Sequence, residues 1–178
     1  KSTIASMLMK FIYPSSGAIY LNGKDYACMN REEIEKYIVM VPQTVSLFND
    51  TIRNNLLVAN PFASDEQLWQ VLHEVSLDKH IQKMSDGLDA MVSEFGSNLS
   101  GGQKQMMGIA RALLTDAEYI IFDEATSAVD PESEKIIWDC IDKLSKKRTL
   151  IIISHRLSAI RNADQIIVLR AGAVEEIG

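Results

Sequence analysis

The sequence has few cysteines and prolines and no long hydrophobic run, and each shortage excludes a class of protein. Cys28 and Cys140 lie far apart and match no metal-binding or redox spacing, so we expect both to be reduced, packed thiols in a cytosolic protein. No segment is rich enough in proline, glycine or serine to link independent domains, and no internal repeat is present. We therefore expect one domain.

Hydrophobic residues occur only in short blocks. Blocks such as Tyr119–Phe122 and Leu150–Ile153 are far below the roughly 18 residues that a membrane span requires. The residues after Lys1-Ser2-Thr3 have a helical pattern and not the pattern of a signal peptide. The formal net charge of −6 gives no general basic surface, which argues against nucleic acid as the main partner.

Hydrophobic periodicity predicts alternating helices and strands in the first part of the chain. The predicted elements are a helix from Ser2 to about Phe11, a turn at Pro14-Ser15-Ser16-Gly17, a strand at Ala18–Leu21, a hairpin turn at Asn22-Gly23, a short helix from Asn30 and a strand at Tyr37–Val41. Helical patterns follow at Thr51–Leu57, from Ser64 and at Asp78–Met84. We expect residues 50–91 to form a helical subdomain inserted into an α/β core made of residues 1–49 and 92–178.

The last part of the chain alternates regularly between helices and strands. Its predicted elements are helices at Gly102–Leu114 and Pro131–Leu144, strands at Tyr119–Phe122, Thr149–Ile153 and Gln165–Leu169, a short helix after His155 and a hairpin arm at Ala173–Glu176. Strands that are apolar throughout and separated by helices are typical of a buried parallel sheet. The predicted fold class is therefore α/β, with a mostly parallel sheet.

The segment Leu99-Ser100-Gly101-Gly102-Gln103 has two interpretations. In the first it is a capping box, because Ser100 and Gln103 stand three residues apart before an amphipathic helix. In the second it binds a phosphate, because Gly101 and Gly102 have no Cβ atoms and free backbone N–H groups at a helix start favour an anion. The segment alone does not decide between them.

Other polar residues stand where buried strands end. Asp123 and Glu124 follow an apolar strand, and this pattern fits a Mg²⁺ ligand beside a carboxylate that orients an attacking water. Gln43 and His155 follow two further strands. Asp130 before a proline is typical of a helix N-cap.

Lys1-Ser2-Thr3 matches the end of the phosphate-binding motif G-x-x-x-x-G-K-[ST]. Together with the later residues it completes an ordered series that resembles the nucleotide-binding domain of an ATP-binding cassette (ABC) transporter. The matching motifs are the end of Walker A, the Q-loop Gln43, the LSGGQ signature, the Walker B strand with Glu124, the D-loop Ser127-Ala128-Val129-Asp130 and the switch His155. The resemblance covers essentially the whole chain and implies a P-loop NTPase-like fold.

The resemblance also implies a role for each of these residues. Two such domains of that family enclose two ATP molecules between them, as a homodimer or a heterodimer. The implied roles are phosphate binding for Lys1, Ser2 and Thr3; Mg²⁺ binding for Ser2, Gln43 and Asp123; catalysis for Glu124, His155 and Gln43; contact with the partner's ATP for Leu99, Ser100, Gly101, Gly102 and Gln103; and a link between the two sites for Asp130.

Two short motifs resemble those of exporters: Leu47–Arg53 after the Q-loop and Glu94-Phe95-Gly96 before the signature. We therefore expect an exporter subunit at the cytoplasmic face of a membrane, with its transmembrane domain upstream on the same polypeptide. Since the sequence begins at Lys1, within Walker A, we expect the 178-residue chain alone to bind ATP poorly and to be inactive. We expect it to have low solubility as well.

The alternatives to an exporter ATPase are a separate importer ATPase, an ABC ATPase that acts on nucleic acid or the ribosome, and a degenerate subunit of a heterodimer. Nucleic-acid relatives usually interrupt the domain with coiled coils, whereas Lys1 to Leu99 is continuous here. Glu124 and His155 are both present, which argues against a degenerate subunit.

Overall fold

A three-stranded parallel sheet lies at the centre of the computed structural model, which describes residues 1–127, 129–156 and 162–178. Its strands are β3 (Ile38–Val41), β4 (Tyr119–Asp123) and β5 (Thr149–Ile153), in the order β3-β4-β5. In β4, Ile120 and Phe122 belong to one hydrophobic core and Ile121 belongs to another. The central strand is thus buried on both faces, which confirms the predicted α/β class.

Seven α-helices surround this sheet in the part of the chain that the structure describes. They are α1 (Ser2–Leu8), α2 (Arg31–Glu35), α3 (Ile52–Leu57), α4 (Asp65–Glu74), α5 (Asp78–Gln82), α6 (Gly101–Leu113) and α7 (Pro131–Leu144). Three short 3₁₀ helices lie at Tyr26–Cys28, Gly87–Asp89 and Glu94–Gly96. None of the helices in these ranges combines the length and apolar character needed to cross a membrane.

Two antiparallel hairpins complete the described elements. Strands β1 (Tyr20–Leu21) and β2 (Lys24–Asp25) pair around Asn22 and Gly23, whose φ angles of 50° and 80° fit the predicted hairpin turn. Strands β6 (Ile167–Arg170) and β7 (Ala173–Ile177) form the second hairpin.

Helices α3, α4 and α5 share the larger core with the sheet and with α6. Leu56, Leu72 and Ile81 are fully buried there, alongside Met107 of α6. The division into a core and a helical subdomain over residues 50–91 remains a prediction.

Several predicted boundaries were wrong. Helix α1 ends at Leu8 and not near Phe11, because Lys10 adopts a left-handed φ of 54° that an α-helix does not accommodate. Strand β1 begins at Tyr20 rather than Ala18, and β6 begins at Ile167 rather than Gln165. The short helix predicted after His155 lies outside the described residues.

Candidate functional site

The parallel arrangement of the sheet brings together residues from distant parts of the sequence. Asp123 is opposite Ile153 in the register of β4 and β5, and Val41 is opposite Phe122 in that of β3 and β4. All three strands therefore end at one edge of the sheet. We name the residues that gather there the strand-end group: Lys1, Ser2, Gln43, Asp123, Glu124 and His155.

Glu124 and His155 contact each other at this edge. Oε1 of Glu124 lies 2.9 Å from Nε2 of His155. The Glu124 side chain is 26% exposed and the His155 side chain 71% exposed, so the pair faces solvent mainly through the imidazole. The Glu124 backbone N–H donates to the Ile153 oxygen over 2.9 Å, which ties the residue to β5.

Glu124 has an unusual backbone conformation, with a φ of 50°. Residues other than glycine, asparagine and aspartate rarely adopt this left-handed region, and they do so at a cost of about 1–3 kcal/mol. The chain thus turns sharply directly after Asp123, and the two neighbouring carboxylates take different partners.

The first residues of α1 reach the same edge. The Lys1 ammonium donates to the Ser154 backbone oxygen over 3.0 Å, and the Ser2 hydroxyl donates to Oδ1 of Asp123 over 3.4 Å. Thr3 is exposed in the first turn of α1. The Lys1 ammonium and the Ser2 hydroxyl, which lies beside the Asp123 carboxylate, are therefore at the same edge of the sheet.

Gln43 follows β3 and reaches the edge from the side of β4 that faces away from β5. Its Nε2 donates to the Ser127 hydroxyl over 3.0 Å, in the loop that follows β4. The preceding Pro42 oxygen accepts a hydrogen bond of 3.1 Å from the buried Gln105 side chain of α6. Gln43 thus connects the loop after β3 with the loop after β4.

A small open cavity lies between these residues, with a volume of about 200 Å³. Its walls are formed by Glu124, Thr126, Ser127, Ser154, His155 and Arg156. Pockets for whole drug-sized ligands usually have volumes of about 300–1,000 Å³. This one is large enough for a phosphate group with a few waters.

The donor set at the edge fits a Mg²⁺ ion. Mg²⁺ is usually bound through one or two carboxylates together with phosphate oxygens and waters, rather than by an all-protein cage. The Asp123 carboxylate and the Ser2 hydroxyl supply such hard oxygen atoms within 3.4 Å of each other. The described residues contain no cluster of three or more histidine, cysteine or carboxylate ligands that would favour another metal.

The LSGGQ segment begins α6 and forms a complete capping box. The Gln103 backbone N–H donates to the Ser100 hydroxyl over 3.2 Å, and the Ser100 N–H donates to Oε1 of Gln103 over 2.9 Å. Leu99 is buried directly before the cap. The capping interpretation is confirmed, and it is compatible with phosphate binding because a capped helix start still carries exposed N–H dipoles.

Gly102 has a close neighbour within the same chain. A Cβ atom at this position would lie 2.3 Å from the Ser133 hydroxyl and 2.4 Å from the Ser133 Cβ. Asp130 Oδ2 would lie 3.7 Å away. The absence of a side chain at Gly102 thus allows the start of α6 to pack against the start of α7, a requirement that the sequence did not reveal.

Asp130 caps α7, as its position before Pro131 predicts. The Ser133 backbone N–H donates to its Oδ1 over 3.0 Å, and this hydrogen bond holds the pKa of the Asp130 carboxyl below its usual value. We name Ser100–Gln103 together with Asp130 the signature group. Within the described part of the chain, no hydrogen bond or ion pair joins it to Lys1, Glu124 or His155.

Three residues that no sequence motif marks lie beside the strand-end group: Thr126, Glu134 and Arg156. Arg156 directly follows His155, so its place next to a candidate site residue is a signal in the sequence. Glu134 lies on α7 and pairs with Arg156, but no local pattern marks it.

Comparisons with known proteins all point to one family. The family profile described as ABC transporter matches residues 1–127. The chain is 42% identical over its whole length to ABC transporter B family member 13 of Arabidopsis thaliana, and 45% identical to the ATP-dependent lipid A-core flippase of Vibrio vulnificus. It spans 14% and 31% of those proteins, respectively.

Among solved structures, a bacterial Atm1-family ABC exporter with ATP bound is similar to the whole chain. The TM-score is 0.93 at 37% identity, and the chain covers 31% of that protein. The fold, the order of the motifs and the match over residues 1–127 agree: the chain belongs to the ABC transporter family.

Proposed function

We propose that this chain binds and hydrolyses ATP as the nucleotide-binding domain of an ABC exporter. The observation that carries the proposal is the convergence of Lys1 with Asp123 and Glu124 at one sheet edge, although Lys1 precedes both acidic residues by more than a hundred positions in sequence. The structural similarity to an exporter with ATP bound supports it.

Each member of the strand-end group has a distinct task in this proposal. Lys1 would bind the β- and γ-phosphates, and Ser2, Gln43 and Asp123 would hold Mg²⁺. When bound, Mg²⁺ neutralises charge on the phosphates. Glu124 orients and polarises the attacking water, and His155 donates a hydrogen bond to the γ-phosphate.

The 2.9 Å contact between Glu124 and His155 fits these tasks. It places the water-activating carboxylate and the phosphate-binding imidazole within reach of one reacting centre. Binding of a γ-phosphate between them requires this direct contact to open. The cavity of about 200 Å³ beside the pair has room for that group.

The start of α6 supports a dimer. Ser100 and Gly101 are exposed, and the Ser100 side chain is held by its own capping box, so we propose that this helix start covers the nucleotide of a second nucleotide-binding domain. We propose that ATP favours the closed dimer and that hydrolysis releases it, with Asp130 at the junction of the two sites.

A membrane domain is the second proposed partner. Phe48 and Phe95 expose 57% and 77% of their surface, in the two segments that resemble exporter motifs. Arg111 of α6 lies beside the first segment: it donates to the oxygen of Ser46, the residue directly before the segment, over 2.7 Å, and its guanidinium lies 5.7 Å from the Phe48 ring centroid. We propose that the domain docks there, at the cytoplasmic face of the membrane.

Replacing Glu124 by glutamine in the full-length protein tests the proposed function. Removal of the water-activating carboxylate is expected to lower kcat for ATP hydrolysis by on the order of a hundredfold or more, while ATP binding remains. Glu66→Gln, at an exposed site in the first turn of α4, is the matched control and should hydrolyse ATP like the wild type. Undiminished hydrolysis by Glu124→Gln would contradict the proposed role.

A further inference from the structure

We propose that Glu134 of α7 is a positioning residue that holds the switch His155 in place through Arg156. The inference rests on the proposed function, because it assigns His155 to the γ-phosphate of ATP. It concerns residues beyond the strand-end group and the signature group.

Glu134 has three polar partners, each contacting one of its two carboxylate oxygens. Oε2 forms an ion pair with the Arg156 guanidinium. Oε1 accepts a hydrogen bond of 3.3 Å from the Trp138 indole and one of 3.5 Å from the Thr126 hydroxyl. The Glu134 side chain is 21% exposed, and the Arg156 side chain 41% exposed. The pair is therefore partly shielded from solvent and fixed from several directions.

His155 needs such support because packing does not fix it. Its side chain is 71% exposed, and its contact with Glu124 has to open when a phosphate binds. The neighbouring backbone is held at Ser154, whose hydroxyl accepts from the Arg156 N–H over 3.0 Å and whose carbonyl accepts from Lys1. The side chain of Arg156 provides the anchor on the other side of His155.

Helix α7 offers a rigid base for this anchor. The Glu134 backbone N–H donates to the Asp130 oxygen over 2.9 Å, within the first, capped turn of the helix. Arg156 lowers the pKa of the Glu134 carboxyl, which therefore stays charged at neutral pH. The same turn also packs against Gly102 through Ser133. One turn of helix thus contacts both the signature and the switch segment.

Glu132 provides a matched control. It lies in the same first turn of α7 and has the same charge near the helix N-terminus, but its side chain is exposed. Glu134→Gln and Glu132→Gln therefore remove equal charge from the helix start. They differ in the loss of the contact with Arg156.

The test measures steady-state ATP hydrolysis and ADP binding by the full-length protein. Glu134→Gln is expected to lower kcat about tenfold, since small displacements of a group at the reacting centre have effects of this size or larger. KM for ATP should change by less than about twofold, and ADP affinity should not change, because ADP has no γ-phosphate for His155 to bind. Glu132→Gln should match the wild type.

A double-mutant cycle with Arg156→Gln tests whether the effect passes through Arg156. Arg156→Gln should lower kcat about as much as Glu134→Gln, and the double variant should be no worse than either, rather than about a hundredfold below the wild type. Because Arg156 lies at the surface beside the helix, its variant also keeps the test valid if Glu134→Gln fails to fold.

Three results would overturn the inference. The first is a Glu134→Gln protein with wild-type kcat, and the second is multiplicative loss in the double variant. The third is a parallel fall in kcat, ADP affinity and thermal midpoint, which would show a structural role alone. A wild-type protein that hydrolyses no ATP would instead refute the proposed function and, with it, the role of His155.

Discussion

The strand-end group and the signature group are held together in opposite ways. The hydrogen bonds of the first join residues 153, 121 and 84 positions apart: Lys1 to Ser154, Ser2 to Asp123 and Gln43 to Ser127. Those of the signature group join residues three positions apart, at the start of α6 or at the start of α7. The first group therefore depends on the whole sheet, whereas the second is organised by its own local sequence.

Loss of sheet packing should break the strand-end group most strongly. Phe122 is fully buried one residue before Asp123, and Phe122→Ala should lower the free energy of unfolding by about 3–5 kcal/mol. Amide hydrogen exchange in the full-length protein should show lost protection in β3, β4 and β5 before the first turn of α6. Equal loss at both places would contradict the difference between the groups.

Gly102→Ala tests the long-range contact of the signature group with Ser133. Overpacking against Ser133 should destabilise the domain by about 1–3 kcal/mol and lower ATP hydrolysis. Ser133→Gly removes both atoms that the new methyl group would strike, so the double variant should recover the thermal midpoint. If it recovers stability but not hydrolysis, the glycine also serves the partner's nucleotide.

The serine capping boxes of α4 and α6 allow the capping role of Ser100 to be separated from its proposed role in ATP hydrolysis. Ser64 caps α4 in the same way. The Gln67 N–H donates to the Ser64 hydroxyl over 3.3 Å, and the Ser64 N–H donates to Oε1 of Gln67 over 2.8 Å. Ser100→Ala and Ser64→Ala should each cost about 1 kcal/mol of stability. We expect only Ser100→Ala to slow ATP hydrolysis as well. Equal hydrolysis rates in the two variants would assign Ser100 to capping alone.

The smallest expected effect is the pH dependence of the α7 cap. The hydrogen bond from the Ser133 N–H lowers the pKa of the Asp130 carboxyl. The cap therefore stabilises the folded state at pH values above the ordinary carboxyl pKa of 3.8. This stabilisation is lost as the pH falls through the lower pKa of the folded state. Protection of the first α7 turn in hydrogen exchange should thus decrease below about pH 4. Asp130→Asn, which keeps a capping oxygen, should remove this pH dependence.

Local patterns in the sequence predicted much of the fold. The bounds of α7 and β5, the hairpin turn at Asn22-Gly23 and the cap at Ser100 agree with the structure, because each depends on residues a few positions apart. The candidate site residues were predicted from the order of the motifs, through the family resemblance.

Long-range contacts and backbone conformation were not predictable in this way. The closeness of Gly102 to Ser133 and the pairing of Glu134 with Arg156 arise only when α6, α7 and β5 are packed. The end of α1 was also misjudged, because Phe11 continues the helical spacing although Lys10 has already left the helix.

The left-handed conformation of Glu124 has a consequence for protein engineering. Glycine adopts a φ of 50° without strain, so Glu124→Gly would relieve a local cost of about 1 kcal/mol or more. The same change would delete the carboxylate proposed to activate water. A directed-evolution campaign that rewarded heat resistance alone would thus favour glycine at this position and select a more stable protein without the proposed catalytic carboxylate.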